Sequence, residues 1–170
     1  MKSHEVVQQC HAGEVFPTPR ERVFRGHFRH TVDPKGRLSI PARFRELLAD
    51  GFGDKLVIVP NGRGGLDVHP ERNFNDLAER IGRLPRLDPF RRAFQYQYMS
   101  KAQDVVLDPQ GRIQIPLDLR QSESLTKEAL IIGMQERFEV WNSERFQHYE
   151  RDKIGAPIED IEAKLADKGV

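Results

Sequence analysis

The chain has 170 residues, of which 38% are hydrophobic and 31% are charged, and its formal net charge at pH 7 is +1. This composition favours one globular domain with a substantial core, and no apolar run approaches the ~20 residues needed to span a bilayer. A single cysteine, Cys10, excludes an internal disulfide framework and a cysteine-based zinc site. With so little net charge, any attraction to nucleic acid must come from a local patch.

Residues 1–22 show neither helical nor strand periodicity, and Pro17 and Pro19 would interrupt either structure. They also lack the apolar run of a signal peptide. We therefore expect residues 1–22 to form a flexible N-terminal extension and the protein to stay in the cytoplasm, associated with the nucleoid.

From Val23 onward, one short module occurs twice. Residues 30–41 read HTVDPKGRLSIP and residues 106–116 read VLDPQGRIQIP, so that Asp, Pro, Gly, Arg, Ile and Pro recur 75 residues later at the same spacing. An ordered match of this kind indicates duplication rather than chance. We therefore expect two related half-folds within one chain.

Each copy predicts a tight hairpin followed by a helix. Asp33 and Asp108 suit the first turn position, where a carboxylate accepts backbone N–H bonds, and Gly36 and Gly111 can take the left-handed conformation that reverses the chain. Apolar and polar residues then alternate up to a proline that suits the first position of a helix.

The remaining elements follow the same order in both repeats: a short helix, two strands and a second helix. In the first repeat these are a helix from Pro41 to near Gly51, strands at 56–59 and 66–68, and a helix from Pro70 to Gly82. In the second repeat they are a helix from Pro116 through Leu119, strands at 130–132 and 138–141, and a closing helix capped by Ser143. Residues 158–167 predict either one exposed helix or a loose tail.

A linking helix is expected between the repeats, with Asp88 as its N-cap and Pro89 in its first position. Its Phe90, Phe94 and Tyr98 are spaced four apart, which is typical of a core face or of a subunit interface. Because neither half-fold is large enough to close its own core, the two should pair as a pseudo-symmetric intramolecular dimer.

Three segments carry a resemblance to a known family. Residues 24–48 (FRGHFRHTVDPKGRLSIPARFRELL), 88–102 (DPFRRAFQYQYMSKA) and 105–120 (VVLDPQGRIQIPLDLR) resemble MraZ, a bacterial family of transcriptional regulators related to the AbrB-type swapped-hairpin DNA-binding proteins. The resemblance implies an α+β, mainly β fold of tandem AbrB-like half-barrels, which form a pseudo-symmetric β-barrel with short flanking helices. It also implies a ring-shaped homo-oligomer that represses its own division and cell-wall operon by binding direct promoter repeats in double-stranded DNA.

The predicted organisation has four parts. After the extension at 1–22 come a first AbrB-like repeat with the linking helices at 23–99, a second repeat at 100–150 and a C-terminal tail at 151–170. The family usually has Met immediately before Phe-Arg-Gly, where this chain has Val23. Since a valine codon can start bacterial translation, we predict that residues 1–22 arise from the choice of start site.

Charge distinguishes the two turns. Residues 20–45 contain eight arginines and lysines against two acidic residues, whereas residues 101–120 contain three of each sign. The family's DNA-binding motif also falls on the first turn. We therefore expect the two turns to share a shape but not a charge, with the DNA lying at the first.

Arg37 is the predicted base-reading residue, because an arginine projecting from a hairpin can fork onto guanine. Lys35, Arg25, Arg29 and Arg43 suit phosphate contacts, which position a protein without reading sequence. Arg112 matches Arg37 by position, but its neutral surroundings favour a mainly structural role or a weaker DNA contact.

Each of these residues also has a structural interpretation. Arg37 is equally well placed to be solvated or to pair with Asp33 across the turn. Arg29 and Arg43 suit the polar face of a strand and of a helix, and Arg25 suits a subunit interface.

No catalytic or metal site is predicted. His27 and His30 fall on opposite faces of a strand, His69 lacks a ligand-spaced partner, and residues 62–65 lack the Lys-Ser/Thr of a phosphate-binding loop. We therefore expect no cofactor, no catalytic activity, no small-molecule substrate and no membrane partner. The alternative function is a swapped-hairpin protein-interaction scaffold without direct DNA readout, like relatives that neutralise toxins.

Overall fold

The computed structural model describes residues 23–169. The extension at 1–22, with its predicted flexibility and start site, lies outside the described residues. The first half comprises β1 His27–Thr31, β2 Arg37–Ser39, α1 Ala42–Gly51, β3 Lys55–Pro60, β4 Gly65–Pro70 and α2 Glu71–Gly82. The linking segment holds α3 Pro89–Gln97 and a short 3-10 helix at Met99–Lys101. The second half comprises β5 Gln103–Val106, β6 Arg112–Gln114, α4 Leu117–Ser122, β7 Glu128–Met134, β8 Arg137–Asn142, α5 Ser143–Tyr149, a π-helical turn at Glu150–Ile154 and α6 Ile158–Ala166.

The strands form two antiparallel sheets with internal two-fold pseudo-symmetry. The larger sheet has the order β1-β7-β8-β4-β3-β5, and the smaller pairs β2 with β6. The pseudo-axis passes between β4 and β8, where Asp67 lies opposite Glu139, and through the small sheet, where Leu38 lies opposite Ile113. Each half therefore supplies strands to the other, which confirms the α+β fold of two interlocked repeats.

The predicted barrel is not closed. Within the described residues, β1 and β5 are the edges of the large sheet and pair with no strand beyond β7 and β3. The β2–β6 pair instead covers one face of the open sheet, and Leu38 and Ile113 are fully buried there.

The turn module differs from the predicted hairpin in its strand pairing. The turn itself closes, since the Gly36 N–H donates to the Asp33 carbonyl at 2.8 Å and the Asp33 N–H donates to the Arg37 carbonyl at 3.0 Å. The flanking strands, however, pair with the other repeat, and a single bridge between Val32 and Leu38 is all that joins them. Pairing across repeats buries apolar side chains that one short hairpin could not cover.

Helix ends follow the sequence with small shifts. The Asp88 side chain accepts the Arg91 N–H at 2.9 Å, which confirms it as the N-cap of α3. The prediction for α5 was wrong by one residue, because Asn142 rather than Ser143 caps it, accepting the N–H groups of Glu144 and Arg145 at 3.0 Å each. The helices that follow Pro41, Pro70 and Pro116 begin one residue after each proline.

Candidate nucleic-acid interface

The β2–β6 ribbon has an apolar inner face and a polar outer face. Because side chains alternate along a strand, burial of Leu38 and Ile113 turns the neighbouring polar residues away from the core. The outward residues are Arg37, Ser39, Arg112 and Gln114. Arg37 lies opposite Gln114, and Arg112 lies opposite Ser39. The two arginines are therefore diagonal neighbours on one face, about 7–8 Å apart at the backbone.

In the first turn, Asp33 holds Arg37 in place. One carboxylate oxygen accepts the N–H groups of Lys35 and Arg37 at 2.9 Å each, and the other lies 2.6 Å from both Nε and Nη2 of Arg37. The backbone and side-chain hydrogen bonds from Arg37 hold the pKa of Asp33 below its usual range. Of the alternatives that the sequence left open, Arg37 therefore adopts the pairing with Asp33, which orients its guanidinium.

The second turn has the same geometry. Asp108 accepts the N–H groups of Gln110 and Arg112 at 2.9 Å each, and its second oxygen lies 2.9 Å from Nε and 2.8 Å from Nη2 of Arg112. The side-chain hydrogen bond from Arg112 is the main cause that lowers the pKa of Asp108. Each arginine thus rests on a charged carboxylate at neutral pH.

A second arginine reaches each turn from the other repeat. Gly36 has φ +82°, and a Cβ there would lie 2.5 Å from Cζ of Arg120. Gly111 has φ +75°, and a Cβ there would overlap Cδ of Arg45. Both positions therefore favour glycine for their positive φ, and a Cβ at either would also push the crossing arginine side chain aside. Arg45 and Arg120 also lie 75 residues apart, so the repeat spacing was the signal that could have identified the pair.

This crossing exchanges one arginine between the two turns and leaves the number of basic residues counted for each turn unchanged. Arg45 was counted with the first turn, but it packs on Gly111 of the second turn. Arg120 was counted with the second turn, but it packs on Gly36 of the first. Each turn therefore carries its own arginine and one from the other repeat, and the clearest difference in charge is Lys35 against Gln110, both exposed.

The other predicted basic residues lie at different distances from the ribbon. Arg43 is exposed in the first turn of α1, which begins three residues after β2 ends. Arg29 is exposed on β1, on the side where the neighbouring His27 contacts Phe146 of α5, whereas Phe28 faces the main core. Arg25 packs its backbone on Gly133 before β1 begins. The structure does not bring Arg25 and Arg29 to the ribbon.

A buried ionic cluster occupies the pseudo-axis on the large sheet. Asp67 and Glu139 are both 4% exposed and lie opposite each other on β4 and β8. Arg63 Nη2 lies 2.8 Å from Glu139 and 3.5 Å from Asp67, and Arg137 contacts both carboxylates at 3.2–3.3 Å. The Trp141 indole N–H donates to Glu139 at 2.8 Å. Each buried acid is therefore paired, as its burial requires.

Tyr98 ties the linking segment to this cluster. Its hydroxyl donates to Asp67 at 2.6 Å and lies 2.7 Å from Nε2 of His69. Burial, together with the Asp67 charge, raises the pKa of Tyr98. Burial lowers the pKa of His69 to about 4, against the opposing effect of Asp67. At neutral pH the cluster thus consists of a protonated tyrosine, a neutral histidine and paired ions. These contacts join β4, β8 and the segment that links the repeats.

The aromatic residues Phe90, Phe94 and Tyr98, which are spaced four apart in and just after α3, lie in two different environments. Phe94 stacks on Tyr98 with ring centroids 5.0 Å apart, whereas Phe90 is 82% exposed.

In residues 23–169, no group of three or more His, Cys, Asp or Glu is arranged to hold a metal ion. No helix in that range combines the length and apolarity required to cross a membrane.

Comparison with known proteins agrees with the duplicated architecture. The family model described as "MraZ protein, putative antitoxin-like" matches residues 23–97 and, a second time, residues 98–169. The chain belongs to the MraZ family. This confirms the resemblance inferred from the two turn motifs. The predicted domain limits of 23–99 and 100–150 stay a prediction.

The alignments with similar MraZ proteins cover most of the length of each relative. The "Transcriptional regulator MraZ" of Pelotomaculum thermopropionicum is 39% identical over 145 residues, which is 85% of this chain and 97% of the relative. That of Heliobacterium modesticaldum is 38% identical over 145 residues, 85% of this chain and 98% of the relative. That of Herpetosiphon aurantiacus is 41% identical over 125 residues, 74% of this chain and 85% of the relative. These names support a role in transcription regulation.

Proposed function

We propose that this MraZ-family chain is a sequence-specific DNA-binding regulator that places the β2–β6 ribbon in the major groove. The observation that carries the proposal is the outer face of the ribbon, where Arg37 and Arg112 project together from a rigid apolar base. A two-stranded ribbon fits the major groove, where each base pair presents a distinct pattern of donors and acceptors.

In this proposal Arg37 and Arg112 read bases. An arginine held at Nε and one Nη by its carboxylate keeps further N–H donors of the guanidinium for guanine O6 and N7. Asp33 and Asp108 act as positioning residues, because they fix each guanidinium before DNA arrives. Gln114 has less freedom to read bases, since its amide donates to the Lys35 carbonyl at 2.6 Å.

Lys35 and Arg43 supply phosphate contacts in the proposal. Both are exposed beside the ribbon, Lys35 at the tip of the first turn and Arg43 at the start of α1. Contacts of this kind release counterions and make affinity depend on salt. We give Arg25 and Arg29 no role at the ribbon, since Arg25 lies against Gly133 and Arg29 shares the face of β1 on which His27 contacts Phe146.

The proposed target and assembly are those that the resemblance to the family implies. One ribbon on a nearly neutral subunit should bind weakly, whereas several ribbons on a ring-shaped homo-oligomer can engage direct repeats at high effective concentration. We expect those repeats upstream of the protein's own division and cell-wall operon, with repression as the outcome.

A binding measurement tests this function. Fluorescence anisotropy with DNA from immediately upstream of the gene should give specific binding by the wild type and a large loss for Arg37→Ala. Arg83→Ala is the matched control, because Arg83 is exposed beyond α2 and pairs only locally with Glu79 at 3.6 Å. Equal affinity of Arg37→Ala and wild type would refute the role given to Arg37.

The scaffold alternative has one observation in its favour, the words "antitoxin-like" in the description of the family model. If neither wild type nor variants bind the upstream DNA at low salt, the ribbon is not a DNA-reading surface. The protein would then be a swapped-hairpin partner for another protein.

A further inference from the structure

The C-terminal helix α6 has an apolar face without a partner. Ile158, Ile161 and Leu165 fall at helical spacing i, i+3 and i+7 and so share one side of the helix. Ile158 is 60% exposed and Leu165 is 41% exposed. A helix of nine residues is too short to be stable by itself in water, so its stability depends on packing. This face should therefore be covered in the working protein.

Charge indicates what covers it. Residues 158–167 carry four acidic residues against Lys164, and within the described part of the chain none of the four forms an ion pair. On a helical projection Glu162 lies beside the apolar stripe and Asp167 lies opposite it, whereas Glu159 and Asp160 are about equally far from the stripe on its two sides. The occupant should therefore be basic as well as apolar.

One surface of this chain has that composition. A cleft of about 900 Å³ lies beside α3, and it is lined by Arg86, Leu87, Arg92 and Tyr96 among others. Leu87 is 83% exposed and Tyr96 is 70% exposed. Neither Arg86 nor Arg92 ion-pairs with another described residue. Exposed tyrosine and arginine around an apolar centre are the residues enriched in protein interfaces.

The geometry points to α6 of one copy docking in the α3 cleft of a second copy. The helix α2, with Phe74, and the helix α5, with Phe146, are equivalent under the internal pseudo-symmetry. Because α3 follows α2 and α6 follows α5, the α3 cleft belongs to the first half and α6 extends from the second half. A contact between two different surfaces is heterologous, and such contacts repeat head to tail, which gives a ring where the rotation between copies closes. This inference rests on the proposed homo-oligomer and names its junction.

The test measures molar mass in solution by light scattering after gel filtration, using the full chain. The double variant Glu159→Arg/Glu162→Arg should reduce the mass of the oligomer at least twofold, as should Arg86→Glu/Arg92→Glu. A chain carrying all four substitutions should recover the wild-type mass, because the charges match again. A single pair of variants is the matched control: Glu162→Arg, beside the apolar stripe, should reduce the mass, whereas Asp167→Arg, with the same charge change on the opposite side of α6, should leave it unchanged.

The outcomes separate the two proposals. A wild type that is monomeric overturns the ring and the docking together. An oligomer that persists unchanged in Glu159→Arg/Glu162→Arg overturns the docking and leaves the ring standing. Loss of DNA binding by Arg86→Glu/Arg92→Glu at unchanged mass also overturns it, since the cleft would then be a phosphate-binding surface. All substituted side chains are exposed, and circular dichroism should report an intact fold for each variant.

Discussion

The two turns at residues 33–37 and 108–112 have the same backbone geometry and different chemistry at one exposed position. In both, an aspartate accepts two backbone N–H groups and holds an arginine, and an arginine of the other repeat packs on the glycine. The exposed residue between them is Lys35 in one turn and Gln110 in the other. The comparison teaches that the duplication preserves the aspartate that orients the arginine, while the exposed residue beside it is free to differ.

The largest expected effect on DNA affinity comes from removing either of the two arginines that we propose read bases. Arg37→Ala and Arg112→Ala should each lose about 1–3 kcal/mol of binding per site, or roughly 5- to 150-fold in affinity. Their shared geometry predicts comparable losses. Titration of each variant with the upstream DNA and with a scrambled duplex checks this. A loss for Arg37→Ala alone would show that the second turn only supports the fold.

The glycines of the two turns should matter for stability more than an unconstrained glycine does. Gly62→Ala, at φ +71° with nothing within 4 Å of its Cβ, should cost about 1 kcal/mol of backbone strain. Gly36→Ala should cost up to about 2 kcal/mol, because the new methyl group also shifts the Arg120 guanidinium, whose Nε donates to the Ile115 carbonyl at 3.2 Å.

Urea unfolding measures these differences in the free energy of unfolding. Removing the displaced guanidinium in Gly36→Ala/Arg120→Ala should reduce the cost to nearly that of Gly62→Ala. Equal losses in Gly36→Ala and Gly62→Ala would mean that the crossing arginine does not constrain the turn.

Substitutions at the exposed position where the two turns differ should change how DNA affinity depends on salt. Lys35→Gln removes the phosphate contact that we propose for Lys35, and it should reduce the slope of log affinity against log salt by about 0.9 per subunit engaged. Gln110→Lys should increase it by a similar amount. Anisotropy titrations from low to moderate salt give the slopes, and slopes that stay constant in both variants would place the DNA away from the turn tips.

The smallest effect concerns acid stability. Because the pKa values of Asp33 and Asp108 are lowered in the folded state, their stabilisation is present above the unfolded value of 3.8 and is lost as pH falls through the folded values. His69 acts in an earlier window: its pKa falls from 6.5 to about 4 on folding, so stability declines between those values as the unfolded histidine takes up a proton.

The contribution of the two turn aspartates to the free energy of unfolding is therefore measured below pH 4. Asp33→Asn/Asp108→Asn should unfold at a lower temperature than wild type at pH 7, and the difference should shrink towards zero as the pH falls from 4 to 2. Thermal unfolding by circular dichroism at a series of pH values measures it. A difference independent of pH would assign the effect to the shape of the turn rather than to its charge.

Local features were predictable from the sequence, and partner choice was not. The turn residues and the Asp88 cap depend on neighbours in the chain, so their patterns identify them. The pairing of β1 with β7 depends on residues about a hundred positions away, which no local pattern contains. For the same reason, counting charge along the chain assigned Arg45 to the wrong turn.

The ionic cluster was missed although its signal was present. Asp67 and Glu139 each lie between two apolar residues of their strand at matching positions of the repeat. Two such acidic residues suggest a shared partner once the strands are known to be adjacent. The sequence likewise indicated a helix at the position of α6 and its charged residues. That its apolar face is exposed could be seen only in the structure.

The interlocked strand order also governs how the chain folds as it is synthesised. Only β3 and β4 pair locally within the first repeat, whereas β1 must wait for β7 and β2 must wait for β6. A first repeat leaving the ribosome therefore holds two strands whose partners have not yet been made. Strands from a neighbouring nascent chain can fill those places, and domain swapping between copies is the misfolding route that this fold must outpace.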